Sequence, residues 1–363
     1  MKRIAHFGSY GANVGDNIAL LNIRKGVEKV LQSEVSWKSV CISKFHNSPG
    51  GMNNVEYIKH KFGQINDQND MLIIGGGGLI ESNNRPDNQT KWKLPFTAET
   101  LSELTIPIVC FSMGINYFRN YPKLDDNAIK SLKDLQERST LFSLRNDGSV
   151  DIYKDIFNKS CEELPDPGLI FDISQVVKKK QHIEKGFFQP AWNNNRAQMA
   201  GRGYSLENLQ KMCAYCNIND LKIMPHTKKD YNFPYKDVIY EKDEFSRLVA
   251  FNKFEKIIQK YHDYDYAVAM RGHGQLISIG LGLPSIYFST QDKVRNFSLR
   301  NGFEDYNVDI SQDNWLELLQ EKTIKIKNNP DYLGKWHEKR EQHVLKCNEK
   351  FNSFCSRIVE ELN

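Results

Sequence analysis

The sequence has no long uninterrupted hydrophobic run. None of its apolar stretches approaches the ~18 residues that a membrane-spanning helix requires. The apolar segment after Met1-Lys2-Arg3 is interrupted at His6, Gly8 and Ser9, too early for the core of a secretory signal peptide. We therefore expect a cytoplasmic protein whose association with a membrane is at most peripheral.

The sequence also has little excess of positive charge. Its 49 lysines and arginines are nearly balanced by 45 aspartates and glutamates, which leaves a formal net charge of +4. A dedicated nucleic-acid-binding protein would have a larger basic excess or a basic stripe. We therefore expect no nucleic-acid partner.

Cysteine is scarce and scattered. Seven cysteines, an odd number, favour reduced thiols in a cytoplasmic protein over a framework of disulfides. The one close pair, Cys213 and Cys216, has a spacing found in zinc and redox sites, but no second pair accompanies it and its segment has helical periodicity. We expect no bound metal.

What the sequence does contain is a regular alternation of strand and helix signals. Short apolar runs alternate with amphipathic helices, and this rhythm is typical of an α/β protein with parallel sheets covered by helices. A chain of 363 residues is long enough for two such units. The predicted strands lie at 4–7, 35–42, 71–74, 106–111, 140–144, 186–189, 221–224, 266–270 and 285–288, and the predicted helices at 17–31, 54–62, 126–137, 149–156, 206–216 and 245–261.

The segment Leu164-Pro165-Asp166-Pro167-Gly168 ends the first series of strands and helices. We predict an N-terminal domain at 1–178, a C-terminal domain at 182–325, and C-terminal helices at 326–363 that pack across both domains. A coiled-coil partner for these last helices is the alternative, and the oligomeric state is left open.

A glycine-containing loop joins the first predicted strand to the first predicted helix. Ligands of open parallel sheets bind beyond the carboxyl ends of strands, where helix N-termini offer free N–H groups. Asn13, Gly15 and Asp16 are therefore candidate substrate-binding residues. The alternative is a well-capped turn, in which Asp16 or Asn17 caps the helix.

Four consecutive glycines, Gly75 to Gly78, follow the predicted strand at 71–74. Successive glycines let backbone amides approach an anion or a sugar oxygen closely, so Gly76 and Gly77 are candidate binding residues. The lysine and hydroxyl residue of a nucleotide-triphosphate loop are missing, and Mg-ATP is not indicated. Tight packing without a ligand is the structural alternative.

Polar residues also follow three other predicted strands. Arg145 is suited to a bidentate grip on a carboxylate or phosphate, the alternative being a surface ion pair with Asp147. Asp166 either lines the same cleft or ends a strand. His226 is a weaker candidate for substrate binding. Asn194 lies in a loop rich in amide groups, a composition that suits sugar hydroxyls and equally a solvated loop.

The strongest chemical signal is Met270-Arg271-Gly272-His273-Gly274, followed by Lys293. Arg271 has a charge that cannot be titrated away, and His273 can donate or accept a proton near neutral pH. Lys293 adds a mobile charge suited to phosphate. We predict an anion-binding reaction centre in which Arg271 and His273 are catalytic and Arg145 and Lys293 bind substrate.

Taken in order, these segments resemble the polysaccharide pyruvyl transferase family. The resemblance implies a GT-B-like fold, with two Rossmann-like domains and their parallel sheets facing each other across a cleft. It covers about residues 1–310 and rests on Asn13-Val14-Gly15-Asp16-Asn17, Gly75–Gly78, Phe111-Ser112-Met113-Gly114-Ile115, Ser143-Leu144-Arg145-Asn146-Asp147, Asp166-Pro167-Gly168, Met224-Pro225-His226, Met270-Arg271-Gly272-His273 and Gly282-Leu283-Pro284 with Lys293.

The resemblance implies a transferase that moves a pyruvyl group from phosphoenolpyruvate onto two hydroxyls of a glycan or lipid-linked sugar, without a cofactor. The donor has a carboxylate and a phosphate, which suit Arg145, Arg271 and Lys293. His273 suits protonation of its methylene carbon. Two alternatives stay open: a glycosyltransferase of the same architecture that uses a nucleotide sugar, with Glu304 or Asp305 binding its ribose, and a non-catalytic carbohydrate-binding protein.

Overall fold

The computed structural model describes residues 1–11, 13–42, 45, 54–81, 96–117, 123–179, 182–192 and 205–363. Strands and helices alternate along these segments. The strands are β1 (Lys2–Gly8), β2 (Val35–Cys41), β3 (Met71–Gly75), β4 (Ile80–Glu81), β5 (Ile108–Met113), β6 (Ile115–Asn116), β7 (Leu141–Arg145), β8 (Glu162–Leu164), β9 (Gly186–Gln189), β10 (Lys222–Ile223), β11 (Tyr266–Ala269), β12 (Ser285–Ser289) and β13 (Asn307–Asp309).

The helices cover both faces of the sheets. They are α1 (Val14–Leu31), α2 (Val55–Gln68), α3 (Ala98–Leu101), α4 (Asp126–Arg138), α5 (Ser149–Phe157), α6 (Leu206–Ile218), α7 (Lys242–Ala250), α8 (Phe254–Tyr261), α9 (Gly272–Leu281), α10 (Asp292–Arg300), α11 (Trp315–Asn328) and α12 (Pro330–Leu362).

Within the described residues the strands form two large parallel sheets and a small one in which β4 pairs with β6. The first has the strand order β2-β1-β3-β5-β7-β8, and the second has the order β10-β9-β11-β12-β13. Every residue of β3 and of β5 is buried, as expected for central parallel strands that are covered on both faces. The predicted α/β architecture with two parallel sheets is confirmed. The boundary at 178–182 stays a prediction, because residues 180 and 181 lie outside the described part.

Several helices differ from the sequence-based expectation, among them α2, which runs to Gln68, beyond its predicted end at 62. The single helix predicted at 245–261 is two helices, α7 and α8. Asn252 between them has a left-handed φ of 52°, a conformation that asparagine tolerates better than most residues and that ends a helix. Helix α1 begins at Val14, earlier than predicted, and its N-cap is Asn13, whose side chain accepts from the Gly15 amide at 3.0 Å. Asp16 therefore lies in the first turn and is not the cap.

The long helix α12 packs across both halves of the molecule. Its first part buries Trp336 beside the second sheet, and its last part buries Phe351 and Phe354 against Phe111 of the first sheet. Arg340 donates from Nε and Nη2 to the carbonyls of Ile279 (2.9 Å) and Gly280 (2.7 Å) near the end of α9. The prediction that the C-terminal helices pack across both domains is confirmed.

The seven cysteines are free thiols. A search of the described helices for one long and apolar enough to cross a membrane finds none.

Candidate active site

A charged cavity of about 280 Å³ lies between the two sheets. Each wall is formed by residues that follow the carboxyl ends of strands, the place where open parallel sheets bind ligands. The first sheet contributes Asn13, Asp16, Gly78, Asn116, Arg145, Asp147 and Asp166, and the second contributes Ala191, Met270, Arg271, Gly272, His273, Gln275, Leu276, Gln291, Lys293, Val294 and Phe297.

Arg145, the last residue of β7, is buried and paired with two carboxylates. Its Nη1 donates to Asp166, and its Nε lies 3.5 Å from Asp147 Oδ2. Burial opposes the charge, but the two carboxylates raise the pKa of Arg145 above its usual value. The pair with Asp147 is therefore part of the cavity wall, not a surface ion pair. Gly114 makes room for it, because a Cβ there would lie 2.0 Å from Nη2.

Asp166 lines the cavity. Of the two interpretations that the sequence allowed, a residue of the cleft and the end of a strand, the structure shows the first. Its Oδ1 accepts from the Gly168 amide at 2.8 Å, and its Oδ2 faces Arg145 and His273. Burial alone would raise the pKa of Asp166, yet Arg145, His273 and the Gly168 amide hold it well below its usual range. Asp166 is thus a buried anion whose partners come from both walls.

His273 lies in the first turn of α9 with a carboxylate facing each ring nitrogen. Its Nδ1 is 3.4 Å from Asp16 Oδ1, and its Nε2 is 3.3 Å from Asp166 Oδ2. The imidazole therefore lies between Asp16, which follows the first strand, and the buried Asp166.

Two glycines fix the position of the His273 ring. A Cβ on Gly15 would lie 2.1 Å from His273 Cβ, and a Cβ on Gly168 would lie 2.9 Å from its Cδ2. Real Cβ atoms do not approach other atoms so closely. The glycines on α1 and after Asp166 are therefore required by the close approach of α9.

We expect Gly15→Ala to lower the free energy of unfolding by about 1–3 kcal/mol, because α1 and His273 cannot both keep their places. Gly63→Ala is the matched control, since Gly63 lies inside α2 and a Cβ there meets nothing within 4 Å. That control should stabilise the protein by about 0.5–1 kcal/mol, the usual gain of alanine over glycine in a helix. Denaturant unfolding measures both; equal stability of the two variants would contradict the close packing.

Arg271 is held in place by several acceptors. Its Nη2 donates to Asp230 Oδ1 at 2.6 Å and Thr227 Oγ1 at 3.2 Å, and its Nε donates to the Pro190 carbonyl at 3.1 Å. Asp230 is buried and also accepts from the backbone amides of residues 226 and 227. The guanidinium therefore has a fixed direction along the cavity wall.

Lys293 connects the two walls. It lies in the first turn of α10, and its Nζ donates to Asn116 Oδ1 at 3.1 Å. The Asn116 Nδ2 in turn donates to the Gly78 carbonyl at 2.9 Å. This chain of hydrogen bonds joins the glycine-rich loop of the first sheet to a cation of the second.

The N-terminus of α9 offers unpaired donors to the cavity. Its first residues, Gly272, His273 and Gly274, have no hydrogen-bond acceptor for their backbone amides within the described part of the chain, and no side chain caps the helix. Free N–H groups and the positive end of the helix dipole together favour a bound anion. This feature lies beside Arg271 and Lys293 on the same wall.

Three predicted residues lie elsewhere than expected. His226 is fully buried behind the cavity, with Nε2 2.6 Å from the Tyr261 hydroxyl, and burial together with Arg271 and His273 lowers its pKa well below the usual range. Gly76 has a left-handed φ of 81° and packs against Leu20. Gly77 lies beside Asp16 but does not line the cavity, and Gly78 does.

Neither the His226 side chain nor Gly76 lines this cavity, because the first is fully buried and the second packs against Leu20. Binding of a ligand by either residue stays a prediction. Asn194 lies outside the described residues. Sequence reasoning missed Asn116 as a cavity residue, and took Asp147 only as the partner in a surface pair. The position of Asp147, two residues after Arg145, was the signal available for it.

Two Rossmann-like sheets that face each other across a charged cavity define a protein of GT-B-like architecture. A family model, polysaccharide pyruvyl transferase, matches residues 13–292, well over half of the chain. The chain belongs to the polysaccharide pyruvyl transferase family and is a transferase of polysaccharide biosynthesis. A search of curated protein sequences gives no match.

Solved structures resemble the fold along nearly the whole chain. The spinosyn forosaminyltransferase SpnP is 8% identical, with 99% of each chain covered and a TM-score of 0.51. An alpha-glucosyltransferase (AGT) in complex with UDP is 10% identical, with 100% of this chain and 99% of the other covered and a TM-score of 0.49. A UDP-N-acetylglucosamine 2-epimerase is 9% identical, with 93% and 90% covered and a TM-score of 0.48. At such identities the likeness concerns the fold alone.

Proposed function

We propose that this transferase moves a pyruvyl group from phosphoenolpyruvate onto two hydroxyls of a glycan sugar, forming a pyruvate ketal and releasing phosphate. The observation that supports it most directly is the shared cavity. Arg145 from the first sheet and Arg271, His273 and Lys293 from the second surround one space. A small dianionic or trianionic molecule is the ligand that such a set of groups favours.

The donor suits the wall formed by the second sheet. Phosphoenolpyruvate has a carboxylate and a phosphate, and this wall presents the free amides of α9 together with Arg271 and Lys293. Asp230 offsets much of the charge of Arg271, and Asp166 and Asp147 offset that of Arg145. Both guanidinium groups therefore act mainly as donors of fixed direction, while the terminus of α9 adds its free amides and the positive end of the helix dipole.

His273 suits the proton transfer that the reaction requires. Protonation of the methylene carbon of phosphoenolpyruvate makes the neighbouring carbon electrophilic toward a sugar hydroxyl. His273 lines the cavity, and its ring is held between Asp16 and Asp166, which fixes the direction of the imidazole beside a bound ligand. Lys293 and the α9 terminus then stabilise the phosphate as it leaves.

The acceptor suits the wall formed by the first sheet. Asn13, Asp16 and Asn116 present amide and carboxylate groups to the cavity, the groups that bind sugar hydroxyls. We infer an acceptor that is a sugar of a glycan or of a lipid-linked precursor. Because phosphoenolpyruvate supplies the transferred group, the proposed reaction uses no cofactor.

The test is incubation of the protein with phosphoenolpyruvate and candidate glycans. We expect phosphate release that depends on both substrates, together with a ketal methyl signal by NMR. Arg271→Ala should lose turnover by about 100-fold or more while staying folded, because it removes a directed donor to the anionic donor substrate. The matched control is Arg247→Gln on the exposed face of α7, which should keep full activity. Full activity of Arg271→Ala would contradict the role of this residue.

A glycosyltransferase that uses a nucleotide sugar is the competing function, and the two acids that the sequence suggested for its ribose lie away from the cavity. Glu304 and Asp305 are both exposed, and neither lines the cavity. Asp305 instead pairs with Lys339 at 3.3 Å. A thermal-shift screen separates the two functions, since a ligand that binds the folded state raises the melting temperature by mass action. Stabilisation by nucleotide sugars but not by phosphoenolpyruvate would favour the glycosyltransferase.

A further inference from the structure

We propose that Asp16 is the general base that takes the proton from the acceptor hydroxyl, and that it returns this proton to His273. The inference rests on the proposed pyruvyl transfer and assigns a chemical role to a residue that the sequence suggested only as a substrate ligand. It starts from the different surroundings of the two carboxylates that flank His273.

Asp166 is almost inaccessible to a substrate. Its side chain is 3% exposed, Oδ1 accepts from the Gly168 amide, and Oδ2 faces both Arg145 and His273. A buried carboxylate held in this way orients the imidazole, as the buried acid of a catalytic triad does. Asp166 is therefore a positioning residue on the Nε2 side of the ring.

Asp16 differs from Asp166 on each of these points. Its side chain is 20% exposed, lines the cavity, and lies 3.4 Å from His273 Nδ1. No backbone amide or other side chain of the described residues donates a hydrogen bond to its carboxylate. Because Asn13 caps α1, Asp16 is not needed as the cap and its carboxylate faces the cavity. Lone pairs are thus available to accept from a hydroxyl.

The glycine-rich loop lies beside Asp16. A Cβ on Gly77 would lie 3.6 Å from Asp16 Oδ1, an ordinary van der Waals distance, so the loop backbone passes close to the carboxylate. Asn116 and Gly78 continue the same wall toward Lys293. An acceptor sugar on this wall would therefore place a hydroxyl between Asp16 and a donor held on the opposite wall.

The proton balance of the reaction requires such a base. The first hydroxyl oxygen bonds to the central carbon of phosphoenolpyruvate, its proton passes to Asp16, and the electrons of the carbon–carbon double bond take the Nδ1 proton of His273. The bond from this carbon to the phosphate oxygen then breaks, and the leaving phosphate keeps the electron pair. The second hydroxyl adds to the same carbon and loses its proton.

The two hydroxyls thus lose two protons. In the net balance one proton ends on the new methyl group, and the other leaves with the phosphate. A proton taken up by Asp16 can pass to Nδ1 of His273 across the 3.4 Å contact, which restores both groups for another turnover. No oxidant, reductant or further reactant is needed.

The test compares Asp16→Asn with Asp126→Asn, the matched control. Both aspartates lie in the first turn of a helix, α1 and α4, but Asp126 is exposed and outside the cavity. We expect Asp16→Asn to lower kcat by about 100-fold or more, as loss of a general base does, with the thermal shift caused by phosphoenolpyruvate unchanged. Asp126→Asn should keep the kcat of the unmodified protein.

Chemical rescue separates the chemical role of Asp16 from a structural one. Asp16→Ala leaves space for a small carboxylate, and added formate should restore part of the lost turnover; a structural residue would show no such rescue. Asp16→Asn with kcat within about threefold of the unmodified protein, or no rescue by formate, would overturn the assignment. If the unmodified protein itself releases no phosphate from phosphoenolpyruvate with any glycan, the proposed function fails, a result distinct from either of these.

Discussion

Replacing His273 by glutamine is expected to reduce kcat by about 100- to 10,000-fold while the protein stays folded. Glutamine fills similar space and keeps a donor toward Asp16 or Asp166, but it cannot deliver a proton to carbon. The measurement is turnover of phosphoenolpyruvate with an accepted glycan, beside a thermal melt. His262→Gln, at an exposed histidine that follows α8, is the control and should be fully active.

The substitution is expected to slow the chemical step without weakening the binding of phosphoenolpyruvate. His273→Gln should therefore keep the melting-temperature increase that phosphoenolpyruvate produces in the unmodified protein. A variant that turns over at the normal rate would remove His273 from the mechanism. A variant that loses ligand binding and turnover together would instead make it a substrate ligand.

Arg145→Gln is expected to lower the free energy of unfolding by about 3–5 kcal/mol, because it leaves Asp166 and Asp147 without their buried cation. Removing one partner of a buried ion pair costs more than the pair contributes, since the remaining charge stays desolvated. Arg247→Gln removes the same charge from an exposed position and should change stability by no more than about 0.5 kcal/mol.

The pH dependence of this effect has a definite sign. In the unmodified protein the pKa of Asp166 lies below its unfolded value of about 3.9, so the pair stabilises the fold above that pH and this stabilisation is lost as the pH falls. Without Arg145, burial instead raises the pKa of Asp166, and acidification neutralises the stranded charge.

The stability gap between Arg145→Gln and the unmodified protein should therefore narrow from pH 7 to pH 4. Denaturant unfolding at the two pH values measures it. A gap that widens on acidification would show that Asp166 is not the charge that Arg145 compensates.

The sequence predicted the architecture and the main cavity residues because both depend on local signals. Buried strands such as β3 and β5 are short apolar runs, and polar residues that follow such strands must meet at one edge of a parallel sheet. Gly15 and Gly168 were readable as parts of motifs. The reason that glycine is required at these positions is visible only in three dimensions. A Cβ on Gly15 or Gly168 would lie 2.1 Å or 2.9 Å from an atom of His273.

Two of the charge partners could not be predicted, because they lie far from their arginines in sequence. Asp166 follows Arg145 by 21 residues, and Asp230 precedes Arg271 by 41. Local periodicity says nothing about pairs at such separations. The sequence therefore suggested only the neighbouring Asp147 as a partner of Arg145, and none for Arg271.

The start of α1 was ambiguous for a related reason. Asn13, Asp16 and Asn17 are all good N-cap residues, so propensity alone does not choose between them. The backbone amide of Val14 bonds to the carbonyl of His226 at 3.0 Å, and this long-range contact accompanies a helix that begins at residue 14. His226 thus matters through its backbone, which its side-chain chemistry did not indicate.

The path of α12 has a consequence for the order in which the molecule matures during synthesis. Phe351 and Phe354 cover Phe111 of the first sheet, and Arg340 binds the end of α9, the helix whose first turn contains His273. A nascent chain that has emerged only as far as α11 would therefore leave an apolar face of the first sheet uncovered. It would also lack the hydrogen bonds from Arg340 to the end of α9. The protein would therefore become active only after residues 330–362 have left the ribosome.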